Sequence, residues 1–204
     1  MKPFVVLIAG PSCGGKSTVA HAVHAVAPKG GCVVVPLDRY YRDLSHLDPA
    51  ERAKANFDHP DAIDWPLLKA QLADLADGRR IAMPEYDFAR HVRGAKSELT
   101  ASAPMVVAEG ILSLHDEDLV AMAGLRVFVD APDTVCLARR IARDVAERGR
   151  SEASVREQFA ATVQPMIREF VRPSARHADL VLDGQAPVET LVRAVTDRIA
   201  AARS

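Results

Sequence analysis

With 204 residues, 49% of them hydrophobic, the chain has the content of one globular domain large enough to bury a proper core. Its 26 basic and 27 acidic side chains leave a formal net charge of -1, which argues against nucleic acid as the main partner. Three cysteines, Cys13, Cys32 and Cys136, come without C-x-x-C spacing and suit a reducing cytoplasm, and no apolar run reaches the length of a membrane span.

Phe4-Val5-Val6-Leu7-Ile8-Ala9 is a continuous apolar run of the kind shown by a parallel strand buried on both faces. It follows Lys2, but it is shorter than the apolar core of a signal peptide and leads directly into Gly10-Pro11-Ser12-Cys13-Gly14-Gly15-Lys16-Ser17-Thr18. That stretch fits G-x-x-x-x-G-K-[ST], and Ser17 to Val26 reads as the start of a helix, so strand, glycine loop and helix occur in the order a phosphate loop requires. Each residue type has its reason. Glycines let backbone N–H groups curl around phosphate oxygens, a helix N-terminus adds positive dipole, Lys16 can reach the β- and γ-phosphates, and the Ser17 hydroxyl suits Mg²⁺. His21 and His24, at i,i+3 on that helix, lack a third metal ligand nearby in sequence. Cys13, at a helix N-terminus, reads as an oxidation-sensitive spot rather than a nucleophile.

Cys32-Val33-Val34-Val35-Pro36 predicts a second strand, and Asp38 falls just past its end, on the sheet edge where ligands bind in open α/β folds. Asp48-Pro49 predicts a cap and first turn of a short helix through Lys54; Asp64 caps another, carried by Leu67, Leu68, Leu72 and Leu75 and stopped at Gly78. Arg80 to Pro84 suggests a short edge strand. From Glu85 to Ala101 there is little periodicity, which predicts a long functional loop holding Tyr86, Phe88, His91 and Arg93. Trp65 and Phe170 read as core residues rather than a platform for a base.

Met105-Val106-Val107-Ala108 and Arg126-Val127-Phe128-Val129 predict two more buried strands, ending in Glu109 and Asp130. Either carboxylate could partner the metal, since Mg²⁺ takes an oxygen ligand at a strand end beside the phosphates. Pro132 opens a helix through Glu147 with Val135, Ile141, Ala142 and Val145 facing inward; another runs from about Glu152 towards Val171. A strand at Leu180-Val181-Leu182 and a helix from Val188 to about Ala202 complete an alternating β/α order. The basic cluster is Arg139, Arg140, Arg143, Arg148 and Arg150. Pairs at i,i+4 with Asp144 and Glu147 would make it a solvated helix face, but Arg148-Gly149-Arg150 just past a helix end suggests a lid over 143–154 that swings onto transferring phosphates.

Taken together, these motifs closely resemble the uridine kinase family of P-loop nucleoside kinases, over nearly the whole chain. The resemblance is carried by the phosphate loop, Asp38-Arg39-Tyr40-Tyr41, Asn56-Phe57-Asp58-His59-Pro60-Asp61-Ala62, Tyr86-Asp87-Phe88, Glu109-Gly110-Ile111-Leu112, Arg139-Arg140-Ile141-Ala142-Arg143-Asp144 and Glu147-Arg148-Gly149-Arg150. It implies an α/β P-loop fold of three layers, a parallel five-stranded sheet flanked by helices, with a small β-hairpin and a helical lid. It further implies that Asp38 lies near the acceptor 5′-hydroxyl and that Glu109 rather than Asp130 joins Ser17 at Mg²⁺. Asp58 would hold the ribose hydroxyls, Tyr86 and His91 the pyrimidine, and Arg140, Arg150 and Gln158 further parts of the acceptor, while Lys16, Arg143 and Arg148 face phosphates. The activity implied is transfer of the γ-phosphoryl of ATP or GTP to uridine or cytidine, by a cytoplasmic homo-oligomer such as a tetramer. Where many family members carry Pro-Arg-Gly-Gly-x-Asn, this chain has Asp183-Gly184-Gln185-Ala186-Pro187 beside the donor base, which leaves ATP or GTP open. Other acceptors, as in phosphoribulokinase or pantothenate kinase, are the alternative. A GTPase-like switch or nucleotide sensor is disfavoured by the lack of Asn-Lys-x-Asp and by the lid arginines.

Overall fold

Phe4–Ala9 forms β1, and its burial on both faces follows from its place at the centre of a five-stranded parallel sheet. The structure is a computed structural model and describes residues 2–52 and 54–203. The other strands of this sheet are β2 (Cys32–Pro36), β5 (Met105–Glu109), β6 (Leu125–Asp130) and β7 (Leu180–Asp183), in the order β2-β5-β1-β6-β7. Parallel pairing requires crossovers, and helices provide them. On one face α1 (Lys16–Val26) and α9 (Val188–Arg203) cover Val6, Ile8, Val107, Val127 and Val129. On the other, α3 (Trp65–Ala76) and α4 (Glu117–Met122) cover Leu7, Val106 and Phe128. Trp65 and Phe170 pack against this second core, as their sequence context suggests.

Between α3 and β5 the loop expected from the lack of periodicity is instead the small β-hairpin that the family resemblance implies. Residues 81–87 form β3 (Ile81–Asp87), residues 92–100 form β4 (Val92–Thr100), and the two pair as an antiparallel hairpin. Two features hid it. Only β3 has a buried face, with Ile81, Met83 and Tyr86 inside, whereas β4 is mostly exposed and shows no apolar alternation. The register also shifts between Pro84 and Tyr86, which breaks the period of two.

The short helix after Asp48 is α2 (Pro49–Arg52), with Asp48 accepting hydrogen bonds from Ala50 and Glu51. Beyond β6, α5 (Asp133–Arg148) ends at Gly149, whose φ of 62° is the left-handed conformation that closes many helices. Ser151 then caps α6 (Glu152–Gln158) through the Ser154 N–H. The chain stays helical past Val171, the expected end. It runs through α7 (Gln164–Met166) and α8 (Arg172–Ser174), separated by wide π-helical turns at Phe159–Val163 and Ile167–Val171. Each wide turn shortly precedes a proline, Pro165 or Pro173, where the missing N–H interrupts the ordinary ladder without ending the helix. The inward face of α5 differs as well. Val145 and Ala142 are exposed, and the buried positions are Cys136, Arg140 and Asp144.

Candidate active site

The loop after β1 is built by close packing. A Cβ on Gly10 would lie 2.1 Å from the Val129 carbonyl oxygen, and one on Gly184 would lie 2.1 Å from the Gly14 carbonyl oxygen. Only glycine lets these backbones meet. Gly15 precedes α1 at φ 112°, and no side chain caps the helix, whereas α3 and α4 are capped by Asp64 and Asp116. The first-turn N–H groups of α1 are thus left for an anion. Lys16 is buried and its ammonium donates to the Pro11 carbonyl at 3.1 Å, along the loop that would cradle the phosphates.

Glu109 shares strand parity with Met105 and Val107, so it lies on the α1 side of the sheet, and the Ser17 hydroxyl donates to its Oε1 at 3.0 Å. Asp130 shares parity with Phe128, lies on the other face and stands 3.7 Å from Arg172 Nε. Of the two strand-end carboxylates, Glu109 is the one beside the phosphate loop. Burial pushes its carboxyl up, against the pull of Lys16 and the Ser17 hydrogen bond, so a cation there would relieve a carboxylate short of compensation. Two oxygen ligands, one of them a carboxylate, suit Mg²⁺. His21 Nδ1 instead lies 2.7 Å from the Ser17 carbonyl oxygen, and no cluster of three metal-ligating side chains occurs among the described residues.

Across the crevice, Leu37–Tyr40 forms a 3-10 turn that presents Asp38 to solvent, and the Tyr41 hydroxyl donates to Asp38 Oδ1 at 3.3 Å. Burial holds the Tyr41 phenol well above its ordinary range, so it stays a donor. Half-buried Asp58 has its carboxyl raised by burial, with Arg140 opposing and Asp38 adding to the rise. Three aromatic rings form a wall here: Tyr41 meets Phe57 edge to face at 5.0 Å and Tyr86 at 5.4 Å. His91 stacks on Phe57 at 4.8 Å with its ring tilted only 22°.

His91 sits in the hairpin turn at φ 55°, and Cys13 in the phosphate loop at φ 61°; they are the described non-glycine residues with positive φ. Such conformations cost roughly 1–2 kcal/mol each, and here both occur at the candidate site. The Tyr86 hydroxyl is buried with no hydrogen-bond partner. Burial pushes its pKa up to about 12, so at neutral pH it is a proton donor left without an acceptor.

The arginines come together at the mouth of the loop. Arg140 donates to Ser12 Oγ at 3.0 Å and to Gln158 Oε1 at 3.3 Å, and Arg150 donates to the same Gln158 oxygen. Arg139 reaches the Gly184 carbonyl at 3.0 Å and the Cys13 carbonyl at 3.4 Å, tying the phosphate loop to the segment after β7. The expected Arg143–Glu147 pairing gives way to Arg143 Nε donating to Asp144 Oδ1 at 2.8 Å. Sequence reasoning left three residues of this site without a role. Tyr41 was legible from its place one 3-10 turn after Asp38; Phe57 and Asp144 acquire their roles only through packing.

The phosphate loop, the strand-end carboxylate and the arginine-bearing helix α5 define the molecule as a P-loop kinase. Residues 5–190 match the model of the phosphoribulokinase / uridine kinase family, and the chain belongs to that family. It is similar to a uridine kinase of Lactobacillus johnsonii, with 39% identity over 97% of this chain and 94% of the relative. A uridine kinase of Chloroflexus aurantiacus is 42% identical over 98% of this chain and 96% of its own. Among solved structures the D-glycerate 3-kinase of Cryptococcus neoformans shares the fold at a TM-score of 0.57 and 16% identity, covering 85% of this chain and 80% of that one.

Proposed function

We propose that this protein transfers the γ-phosphoryl group of ATP or GTP to the 5′-hydroxyl of uridine or cytidine, giving UMP or CMP in pyrimidine salvage. The observation that carries the acceptor assignment is the cluster of Tyr41, Phe57, Tyr86 and His91 rings next to Asp38, an aromatic surface suited to a flat polar ring. Similarity to uridine kinases along nearly the full chain supports the same reading.

In this account Asp58 holds the ribose hydroxyls, Tyr86 and His91 hold the base, and Arg140, Arg150 and Gln158 complete the acceptor side. Asp38 takes the proton of the 5′-hydroxyl as its oxygen bonds to the γ-phosphorus, and the bond from that phosphorus to the β-phosphate oxygen breaks to release the nucleoside diphosphate. Lys16, Arg143 and Arg148 neutralise charge on the transferring group, while residues Gly10 to Thr18 wrap the donor phosphates. Ser17 and Glu109 would hold Mg²⁺, which would supply charge neutralisation to the donor phosphates. A cytoplasmic homo-oligomer, a tetramer, completes the proposal; its cysteines are all unpaired, and no described helix is long and apolar enough to cross a membrane.

Purified protein with Mg²⁺ and ATP or GTP, offered uridine, cytidine, ribulose 5-phosphate and pantothenate, tests this by chromatography of the products. Phosphorylation of the two nucleosides alone is expected. Preferred phosphorylation of either of the other acceptors would redirect the assignment.

A further inference from the structure

Asp144 lies near the end of α5 with none of its side chain exposed, and four guanidiniums surround it. Its Oδ1 meets Arg143 at 2.8 Å and Arg148 at 3.5 Å. Its Oδ2 faces Arg150 at 3.5 Å and Arg140 Nε at 3.7 Å, and neither that oxygen nor that Nε has a hydrogen-bond partner. The backbone carbonyl of Asp144 accepts the N–H groups of Gly149 and Arg150, so the same residue also shapes the turn that ends α5. A solvated i,i+4 pair would look different: it would sit in water and involve one cation.

The two carboxylate oxygens serve two groups of arginines. Arg140 and Arg150, already tied to Gln158, approach Oδ2 loosely, while Arg143 and the half-exposed Arg148 converge on Oδ1. Guanidiniums this close repel one another, and with no anion among them they would spread into solvent. The encircling cations also leave this carboxylate unsuited to a metal ion.

We propose that Asp144 is the positioning residue of the lid: the buried counter-ion that keeps four arginines converged on the mouth of the phosphate loop before phosphate arrives. It touches neither substrate and acts only through the arginines. This inference rests on the phosphoryl-transfer reading above but not on the identity of the acceptor. Four guanidiniums against one carboxylate leave excess positive charge for the triphosphate, and Arg148, the most exposed of the four side chains, is the arm that moves onto the phosphates.

The test measures kcat, KM for the triphosphate and Tm for wild type, Asp144→Asn, Asp144→Glu, Arg148→Ala and Asp144→Asn with Arg148→Ala. Assays run well below the lowest Tm, and turnover is read as nucleoside diphosphate release with whichever acceptor wild type phosphorylates. A wrong acceptor therefore shows as wild type inactive on nucleosides, whereas a wrong assignment of Asp144 shows only in the variants. Asp144→Asn keeps the shape and loses the charge; misplacing the arginines should lower kcat by about 10²-fold. Asp144→Glu keeps the charge in a poorer shape and should be the more active of the two, an order that a packing role would reverse. In the Arg148→Ala background the Asn penalty should shrink, because part of the route by which Asp144 acts is gone.

Wild-type kcat in Asp144→Asn, a Glu variant no better than Asn, or an equal penalty in both backgrounds would overturn the proposal. If Asp144→Asn does not fold, Asp144→Glu decides: folded and active supports the proposal, while folded and 10²-fold slower contradicts it. Failure of both to fold assigns the carboxylate to structure alone.

Discussion

Asp38 and His91 show how single residues acquire roles from their surroundings. Asp38 is held by the Tyr41 hydroxyl in a crevice it shares with Asp58 and Glu109, and it adds to the rise of both their carboxyls. General-base catalysis typically contributes about 10²–10⁴-fold, so Asp38→Asn should lower kcat on that order while leaving triphosphate binding nearly intact. Full activity in that variant, measured at saturating donor, would remove Asp38 from the mechanism. Burial first, and then the charge of Arg148, hold His91 below its ordinary pKa of 6.5. A base so depressed is neutral at pH 7 and offers one donor and one acceptor nitrogen; the acceptor is lost only as pH falls below that ordinary value. The uridine-to-cytidine ratio of kcat/KM should accordingly be flat from pH 7 upward.

At the scale of elements, the proposed lid is built from a helix, a left-handed glycine and a second helix, with four of its arginines on one buried carboxylate. Phosphate would replace part of that carboxylate's coordination and draw residues 143–154 down. Hydrogen exchange in this segment should therefore slow when a bisubstrate analogue binds, and exchange that does not change would contradict a closing lid. The β3–β4 hairpin is the other element that carries candidate site residues. Arg39 donates to the Pro84 carbonyl at 2.6 Å and Arg93 bridges the Tyr41 carbonyl and Asp64, each at 3.0 Å, so the hairpin carrying Tyr86 and His91 is tied to the turn carrying Asp38. The residues proposed to hold the base and the candidate general base are thus held as one unit.

Across the whole molecule, what could be read in advance followed local rules. The inner parallel strands β1, β5 and β6 are apolar runs because they are buried on both faces, and the phosphate loop has the spacing its backbone geometry requires. What stayed hidden was set by tertiary context. The strand β4 has little buried face to impose alternation, the helix continues through Pro165 and Pro173 because wide turns absorb them, and Asp144 reads as half of a surface ion pair until four arginines close over it. The choice between Glu109 and Asp130 likewise turns on which sheet face each occupies, which follows from strand parity once α1 is known to cover that face.

The central claim is a pyrimidine nucleoside acceptor read by His91, and kcat/KM for uridine, cytidine, thymidine and adenosine with wild type and His91→Phe tests it most directly. Wild type should use uridine and cytidine and disfavour adenosine, since an acceptor side walled by Phe57, Tyr86 and His91 favours a flat six-membered base over a larger purine. His91→Phe should change the uridine-to-cytidine ratio by roughly tenfold to a hundredfold, the cost of an unpaired buried polar group. An unchanged ratio, or adenosine as the best wild-type substrate, would contradict the account.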